Sequence, residues 1–311
     1  MRIVLVDPSR TVRRIVTDLV QRWKYEVCPF AGGAEAFSYI HKDDSVRVLI
    51  TSAELPTMSG VELCVRVREF VANRRPLYII MMSSSAEYTK CVQALDKGAD
   101  DFICKPPIAE ELCARLRTAD RVTSMQGELV RLATTDFLTG LSNRRAFFEN
   151  ATRAIERAHC GRALSAIMFD LDHFKQINDI HGHDIGDVVL KRVAAEITLL
   201  PGTAGRLGGE EFGLLVEGTL SDAIDIAHEF RRSVEGLKVF AGEQPVAITC
   251  SLGVAEWETD DSIDTLLRRA DVALYEAKRT GRNKVIAADT YALSDKHNEW
   301  RGAARVLGRT S

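Results

Sequence analysis

"AIMFDLDHFKQINDIHGHDIGD", residues 166–187, decides how the C-terminal half of this chain is read. The apolar run Leu164–Phe169 meets Asp170, and Asp172 follows two residues later. Carboxylates at the end of a buried strand suit a hard cation, while turn chemistry alone also favours aspartate there. Lys175 and Asn178 stand three residues apart, which puts them on one face of the next short helix. His181-Gly182-His183 then forms a loop into a new helix, with Asp187 expected in its first turn. An acid at a helix start is favoured by the dipole alone, so Asp187 by itself reads either way.

A second stretch, "RLGGEEFGLL" (206–215), carries Gly208 and Gly209, which allow a tight turn and close approach of a phosphate. Glu210 and Glu211 come next, at the mouth of a strand. Two adjacent carboxylates at a hairpin tip make sense if a metal or a substrate proton compensates them. In "EAKRTGRNKV" (276–285), Lys278 and Arg282 flank a glycine helix stop. Such cations serve as C-caps or hold triphosphate oxygens.

Working outward, strands and helices alternate from Asp136 to Asp289. The helical patterns are Arg145–Ala158, Val188–Leu200, Leu220–Val239 and Ile263–Lys278. The Gly208-Gly209 hairpin makes the sheet mixed. Residues 1–110 alternate too: Ile3–Val6, Val46–Ile50, Leu77–Met82 and Phe102–Cys104 are separated by helical patterns at Thr11–Trp23, Ala34–His41, Val61–Val71 and Glu87–Lys97. That βα repeat predicts a doubly wound parallel sheet covered on both faces. Between the two, residues 111–135 carry Leu112, Leu116, Ala119, Val122, Met125 or Gln126, Leu129 and Leu132 at helical spacing. The stripe outruns a normal terminal helix and predicts a coiled-coil stalk, against the alternative of a helix packed on its own domain. Residues 290–311 form a C-terminal tail of unassigned role.

A 46% hydrophobic, 27% charged chain of 311 residues is long enough for two globular domains. Its net charge of −3 gives no reason to expect nucleic acid or an anionic membrane as partner. No apolar run suits a membrane span, and the N-terminus reads as a strand rather than a signal peptide. Seven cysteines without a CxxC pair predict reduced thiols and a cytoplasmic protein. Small buried hydrophobes are the expected role for them, ahead of redox sensing.

Taken together, "DFLTGLSNRR" (136–145), "FDLDHFKQINDIHGHDIGD" (169–187), "GGEEF" (208–212) and "AKRTGRN" (277–283) resemble the GGDEF family of diguanylate cyclases. The resemblance implies a nucleotidyl-cyclase-like α/β domain that joins two GTP into cyclic di-GMP and two pyrophosphates, working as a dimer with Mg²⁺ or Mn²⁺. It implies Asp170, the Leu171 carbonyl and Glu210 as metal ligands, with Glu210 also the base and Glu211 adding negative potential. Asn178, Asp187, His183 and Phe174 would form the guanine side of the substrate pocket, with Gly208 and Gly209 beside the phosphates. Lys175, Lys278 and Arg282 would neutralise phosphate charge. The family's Arg-x-x-Asp product site matches Leu199-Leu200-Pro201-Gly202, which carries neither charge. A nucleotide receptor without catalysis and a receiver-mediated scaffold are the rival readings.

The first domain resembles a two-component receiver, through its βα repeat, "LPTMSG" (55–60), Ser83 and "KPP" (105–107). A working receiver has an acid pair after the first strand, a phosphoacceptor Asp after the third, and a Lys. Here the pair reads Asp7-Pro8 and the acceptor position reads Ser52, while Ser83 and Lys105 match. A hydroxyl cannot form the acyl phosphate, so the resemblance implies a degenerate receiver. Its expected roles are homodimerisation, together with the stalk, and docking of a protein partner.

Overall fold

A computed structural model describes residues 1–71, 75–84 and 95–288. The chain divides into two compact units, Met1–Arg131 and Leu132–Ser311.

In the first unit, β1 (Arg2–Val6), β2 (Glu26–Phe30), β3 (Val46–Ser52), β4 (Tyr78–Ser83) and β5 (Asp101–Cys104) form one parallel sheet in the order β2-β1-β3-β4-β5. This is the flavodoxin-like order, in which the functional crevice lies at the carboxyl ends of β1 and β3. Central strands buried on both faces read as continuous apolar runs, and β3 and β4 do. The sequence reading omitted β2, because Pro29 and Glu26 interrupt its pattern; it is an edge strand, where proline is tolerated. Helices α1 (Arg10–Arg22), α2 (Gly33–Lys42) and α3 (Gly60–Val71) follow their strands. Ser9 caps α1 by accepting from Val12 N. Most of the pattern expected at Glu87–Lys97 lies outside the described residues.

Helix α4 runs from Ala109 to Thr134. Leu112, Leu116 and Ala119 are fully buried in the core formed by Ile3, Leu5, Val48, Ile50 and Ile80. Met125, Leu129 and Leu132 are exposed. The apolar stripe therefore divides: its first turns serve the receiver core, and its later turns present an apolar face.

In the second unit, β6 (Ser165–Leu171), β7 (Thr203–Gly208), β8 (Glu211–Val216), β11 (Cys250–Glu256) and β12 (Val285–Ala287) form a mixed sheet in the order β12-β11-β6-β8-β7. A separate hairpin pairs β9 (Val239–Ala241) with β10 (Gln244–Val246). The apolar-rich stretch 246–254 is split between β10 and β11, with an irregular piece between them. One face of the mixed sheet carries α5 (Arg144–Ala158) and α9 (Ile263–Arg279), around Phe147, Leu266 and Leu274. The other carries α7 (His183–Thr198) and α8 (Leu220–Glu235), around Phe169, Phe212 and Phe230. Each such fully buried side chain contributes roughly 1.5–3 kcal/mol relative to exposure. Phe147 packs closely against the β7–β8 pair because Gly205 and Gly213 have no side chains; a Cβ at Gly205 would come 2.7 Å from the Phe147 Cβ, and one at Gly213 2.7 Å from its Cζ. That packing anchors the hairpin whose tip is Gly208–Glu211.

Candidate active site

The end of β6 and the tip of the β7–β8 hairpin lie side by side. Asp170 is the cross-strand partner of Glu211, and Phe169 of Phe212. The Phe169 and Phe212 rings stack with centroids 5.3 Å apart, which fixes this register beneath the acids. Gly209 has φ +42°, the left-handed region the tight turn requires. Glu210 is half-buried and Glu211 exposed.

Asp170 is buried, and its Oδ2 lies 2.8 Å from Lys278 Nζ. Burial pushes its carboxyl up to about 6; Lys278 opposes the shift, while Glu210 and Glu211 add to it. Lys278 reaches Asp170 because α9 runs on to Arg279. Among the described residues, no three acidic, histidine or cysteine side chains converge as a preformed metal cage. The donors that do lie here are hard oxygens, which fit Mg²⁺ or Mn²⁺. Mg²⁺ is commonly held by one or two carboxylates plus substrate phosphates rather than by an all-protein cage.

Asp172 was a second candidate for the cation, and the structure assigns it otherwise. Its carboxylate accepts from Thr249 Oγ1 at 2.8 Å, Ser251 Oγ at 2.7 Å and Asn283 N at 3.0 Å. It organises the backbone instead.

Lys175 and Asn178 lie on α6 (Phe174–His181), with Lys175 exposed and Asn178 half-buried; Phe174 packs into the core below. The helix α7 starts at His183, five residues earlier than the apolar pattern suggested, so Asp187 falls in its second turn. Gly186 accommodates Asn178: a Cβ there would come 1.9 Å from Asn178 Oδ1. His183 and Asp187 are exposed at this end of α7. Arg282 is exposed in a left-handed turn, with Gly281, Arg282 and Asn283 at φ +118°, +61° and +46°.

Sequence reasoning missed the role of Arg206. Its Nε and Nη2 donate to the Gly209 carbonyl at 2.9 and 2.7 Å, and its Nη1 to Asp136 Oδ1 at 3.0 Å. It thereby ties the glycine turn to the start of "DFLTG". The two residues are far apart in sequence, and nothing in either stretch announces the pair.

In the first unit, Asp7, Ser52, Ser83 and Lys105 meet at the carboxyl ends of β1, β3, β4 and β5, and Pro8 is exposed beside them. Lys105 Nζ lies 2.5 Å from Asp7 Oδ2 and donates to Ser52 Oγ at 2.6 Å. Ser52 Oγ also accepts from Glu54 N at 3.0 Å and donates to the Glu54 carbonyl at 2.9 Å. Gly60 is required close by, since a Cβ there would meet the Ser52 carbonyl at 1.9 Å. Glu54 itself points to Ser84 Oγ, at 3.2 and 3.3 Å.

Of the described cysteines, Cys64 and Cys250 are buried, and burial pushes the Cys64 thiol up to about 11. Cys104 and Cys160 are exposed, so the expectation of small buried hydrophobes fails for them. Among the described residues, no helix is long and apolar enough to cross a membrane.

A parallel doubly wound unit followed by a mixed-sheet unit with acids at a glycine hairpin defines a two-unit α/β protein with an acidic, oxygen-rich candidate site. Comparison with known proteins makes the class specific. Residues 133–284 match the family described as diguanylate cyclase, GGDEF domain, and residues 3–117 match the response regulator receiver domain. The chain is 32% identical over 302 residues to the response regulator PleD of Caulobacter vibrioides, covering 92% of this chain and 65% of that protein. It is 39% identical over 183 residues to the diguanylate cyclase VdcA of Vibrio cholerae, covering 57% of this chain and 53% of that protein. The coiled coil and GGDEF domain of DgcB from Caulobacter crescentus, solved in complex with c-di-GMP, superposes with a TM-score of 0.53 at 36% identity; the match covers 57% of this chain and 97% of that one. The chain belongs to the GGDEF family, with a receiver domain preceding the GGDEF domain.

Proposed function

We propose that this chain is a diguanylate cyclase, joining two GTP molecules into cyclic di-GMP with release of two pyrophosphates. The observation that carries the reading is the register of Asp170 against Glu211, which sets the GGEEF tip beside a buried carboxylate that faces a lysine. Each 3′-hydroxyl oxygen attacks the α-phosphorus of the other GTP. The new O–P bond forms as the bond to the pyrophosphate oxygen breaks, and Glu210 takes the hydroxyl proton. Two such steps close the ring. Because each GTP attacks the other, the reaction needs two protomers facing each other about a twofold axis.

Asp170, the Leu171 carbonyl and Glu210 would hold Mg²⁺ or Mn²⁺, which when bound withdraws charge from the triphosphate. Glu211 adds negative potential there. Lys175, Lys278 and Arg282 neutralise phosphate charge, and Gly208 and Gly209 let the backbone approach it. Asn178 and Asp187 read the guanine, with His183 and Phe174 completing its pocket. The receiver is not phosphorylated, since Ser52 lacks a carboxylate and Lys105 is already shared between Asp7 and Ser52. The homodimer forms through the receiver and the exposed half of α4, and a protein partner can dock on the receiver. The protein works in the cytoplasm, without nucleic acid or membrane.

The test is incubation of the dimeric protein with GTP and Mg²⁺, followed by nucleotide chromatography. Cyclic di-GMP is expected from the native chain and none from Glu210→Ala. GTP binding with no product from the native chain would favour a nucleotide receptor.

A further inference from the structure

Asp172 belongs to the stretch that defines the site, yet none of the roles assigned above uses it. Its side chain is only 5% exposed, and three donors meet its carboxylate. Its own N–H donates to the Thr249 carbonyl at 2.9 Å. These partners come from separate parts of the chain: the entry into β11, β11 itself, and the turn after α9.

That turn is the unusual element. Two successive non-glycine residues, Arg282 and Asn283, have left-handed backbones. Such residues are uncommon and persist only where surrounding contacts over-determine them. Here the contacts come from two directions. The Asn283 N–H is taken by Asp172, while Asn283 Oδ1 accepts from Arg231 Nη1 at 2.7 Å and Nδ2 donates to Glu235 Oε1 at 2.8 Å. Arg231 and Glu235 are themselves paired on α8 at 2.9 Å.

We propose that Asp172 is a positioning residue that ties the Gly281–Asn283 turn to the end of β6, holding Lys278 and Arg282 at a set distance from Asp170. The inference rests on the reading of those two cations as triphosphate ligands. It gives the second aspartate of "FDLD" a role of its own: one carboxylate of the pair serves the substrate, and the other, with three donors already on it, fixes the frame that aims Lys278 and Arg282.

The test compares the full chain with Asp172→Asn, Ser251→Ala, Arg282→Ala and the double variant Asp172→Asn/Arg282→Ala. Affinities for GTP and for guanosine are measured by titration calorimetry, and steady-state turnover by chromatography. Asp172→Asn is expected to weaken GTP about tenfold, equivalent to about 1.4 kcal/mol, while guanosine binding stays unchanged. Ser251→Ala should act in the same direction more mildly, and it keeps the test informative if Asp172→Asn does not fold. In the Arg282→Ala background the Asp172 substitution should cost less than it does alone, because the part it exerts through Arg282 is already lost. Parallel loss of guanosine and GTP, unchanged GTP affinity in both Asp172→Asn and Ser251→Ala, or full additivity of Asp172→Asn with Arg282→Ala would each overturn the proposal. A native chain that binds GTP without turnover defeats the cyclase reading and leaves these binding ratios to decide the clamp. A native chain that binds no GTP overturns both.

Discussion

Lys278 Nζ sits 2.8 Å from Asp170 Oδ2, where a divalent cation would be drawn. An ammonium is a singly charged stand-in for that ion. With metal and nucleotide bound, the Lys278 side chain would pair with the phosphates instead, its backbone held in place at the end of α9. Lys278→Ala should therefore lower the stability of the metal-free protein by about 1–2 kcal/mol, since the lysine is partly exposed and its partner buried. The same variant should gain more thermal stabilisation from added Mg²⁺ than the native chain does. Its cyclic di-GMP formation should fall by about a hundredfold, as for other lost charge-stabilising donors. Thermal melts with and without Mg²⁺, beside the product assay, check all three.

Gly186 lies in the interior of α7, where alanine would ordinarily be better by about 1 kcal/mol. Its Cβ would displace the end of the Asn178 side chain. Gly186→Ala should then leave the melting temperature nearly unchanged while lowering affinity for GTP and narrowing the preference for GTP over ATP. A variant that melts like the native protein and discriminates as well would show that Asn178 does not read the base.

Asp136 gives a pH signature. Burial raises its carboxyl, but hydrogen bonds from Thr139 Oγ1 and N and the Arg206 guanidinium outweigh it and hold the group below its ordinary value of 3.8. A depressed acid stabilises the fold at pH values above its unfolded pKa, and that contribution is lost as pH falls through the folded pKa. Asp136→Asn should thus be less stable than the native chain at neutral pH. The difference should shrink below about pH 4. Urea unfolding at a series of pH values measures it.

The pair of Lys105 with Asp7 is buried, with side chains 13% and 1% exposed. Removing one partner of such a pair leaves an uncompensated charge and costs about 3–5 kcal/mol. Lys105→Met should destabilise the receiver unit by that order, and adding Asp7→Asn should recover most of it. Acetyl phosphate should add no mass to the native protein and leave turnover unchanged. An adduct of phosphate mass that is stable only at mild pH would contradict the degenerate-receiver reading.

Leu199 and Gly202 stand where an inhibitory Arg-x-x-Asp would lie. Leu199 is 79% exposed, and Gly202 has φ +124° with the Leu215 carbonyl 2.1 Å from a would-be Cβ. Position 202 therefore resists any side chain. Turnover should be insensitive to added cyclic di-GMP through this position, and Leu199→Arg with Gly202→Asp should cost stability without creating inhibition. Initial rates across a product titration test this.

The alternation of apolar runs made both sheets legible, because buried strands and glycine turns leave local signatures. Of the edge strands, β5 showed as Phe102–Cys104, but β2, which carries a proline, and β12, which is three residues long, did not. The start of α7 was obscured because Asp184, Gly186 and Asp187 break its apolar period, although tertiary packing holds them in helix. The acids, the glycines and Lys278 were visible as sequence. What joins them was not: Asp172 meets Thr249, Ser251 and Asn283, and Arg206 meets Asp136, across separations no local pattern encodes.

Ser52 sits in a fully buried seat, held by Lys105 and by both backbone groups of Glu54, with Gly60 pressed against its carbonyl. Replacing it with aspartate would put a second carboxylate on the ammonium that Asp7 already engages. Pro8 would still supply no acid for a cation, so the phosphoryl chemistry would not return. Regaining it takes coordinated changes at Pro8 and Ser52, the first of which brings no benefit alone. On the degenerate-receiver reading proposed above, selection can reshape this unit as a surface, but no single substitution leads it back to being a switch.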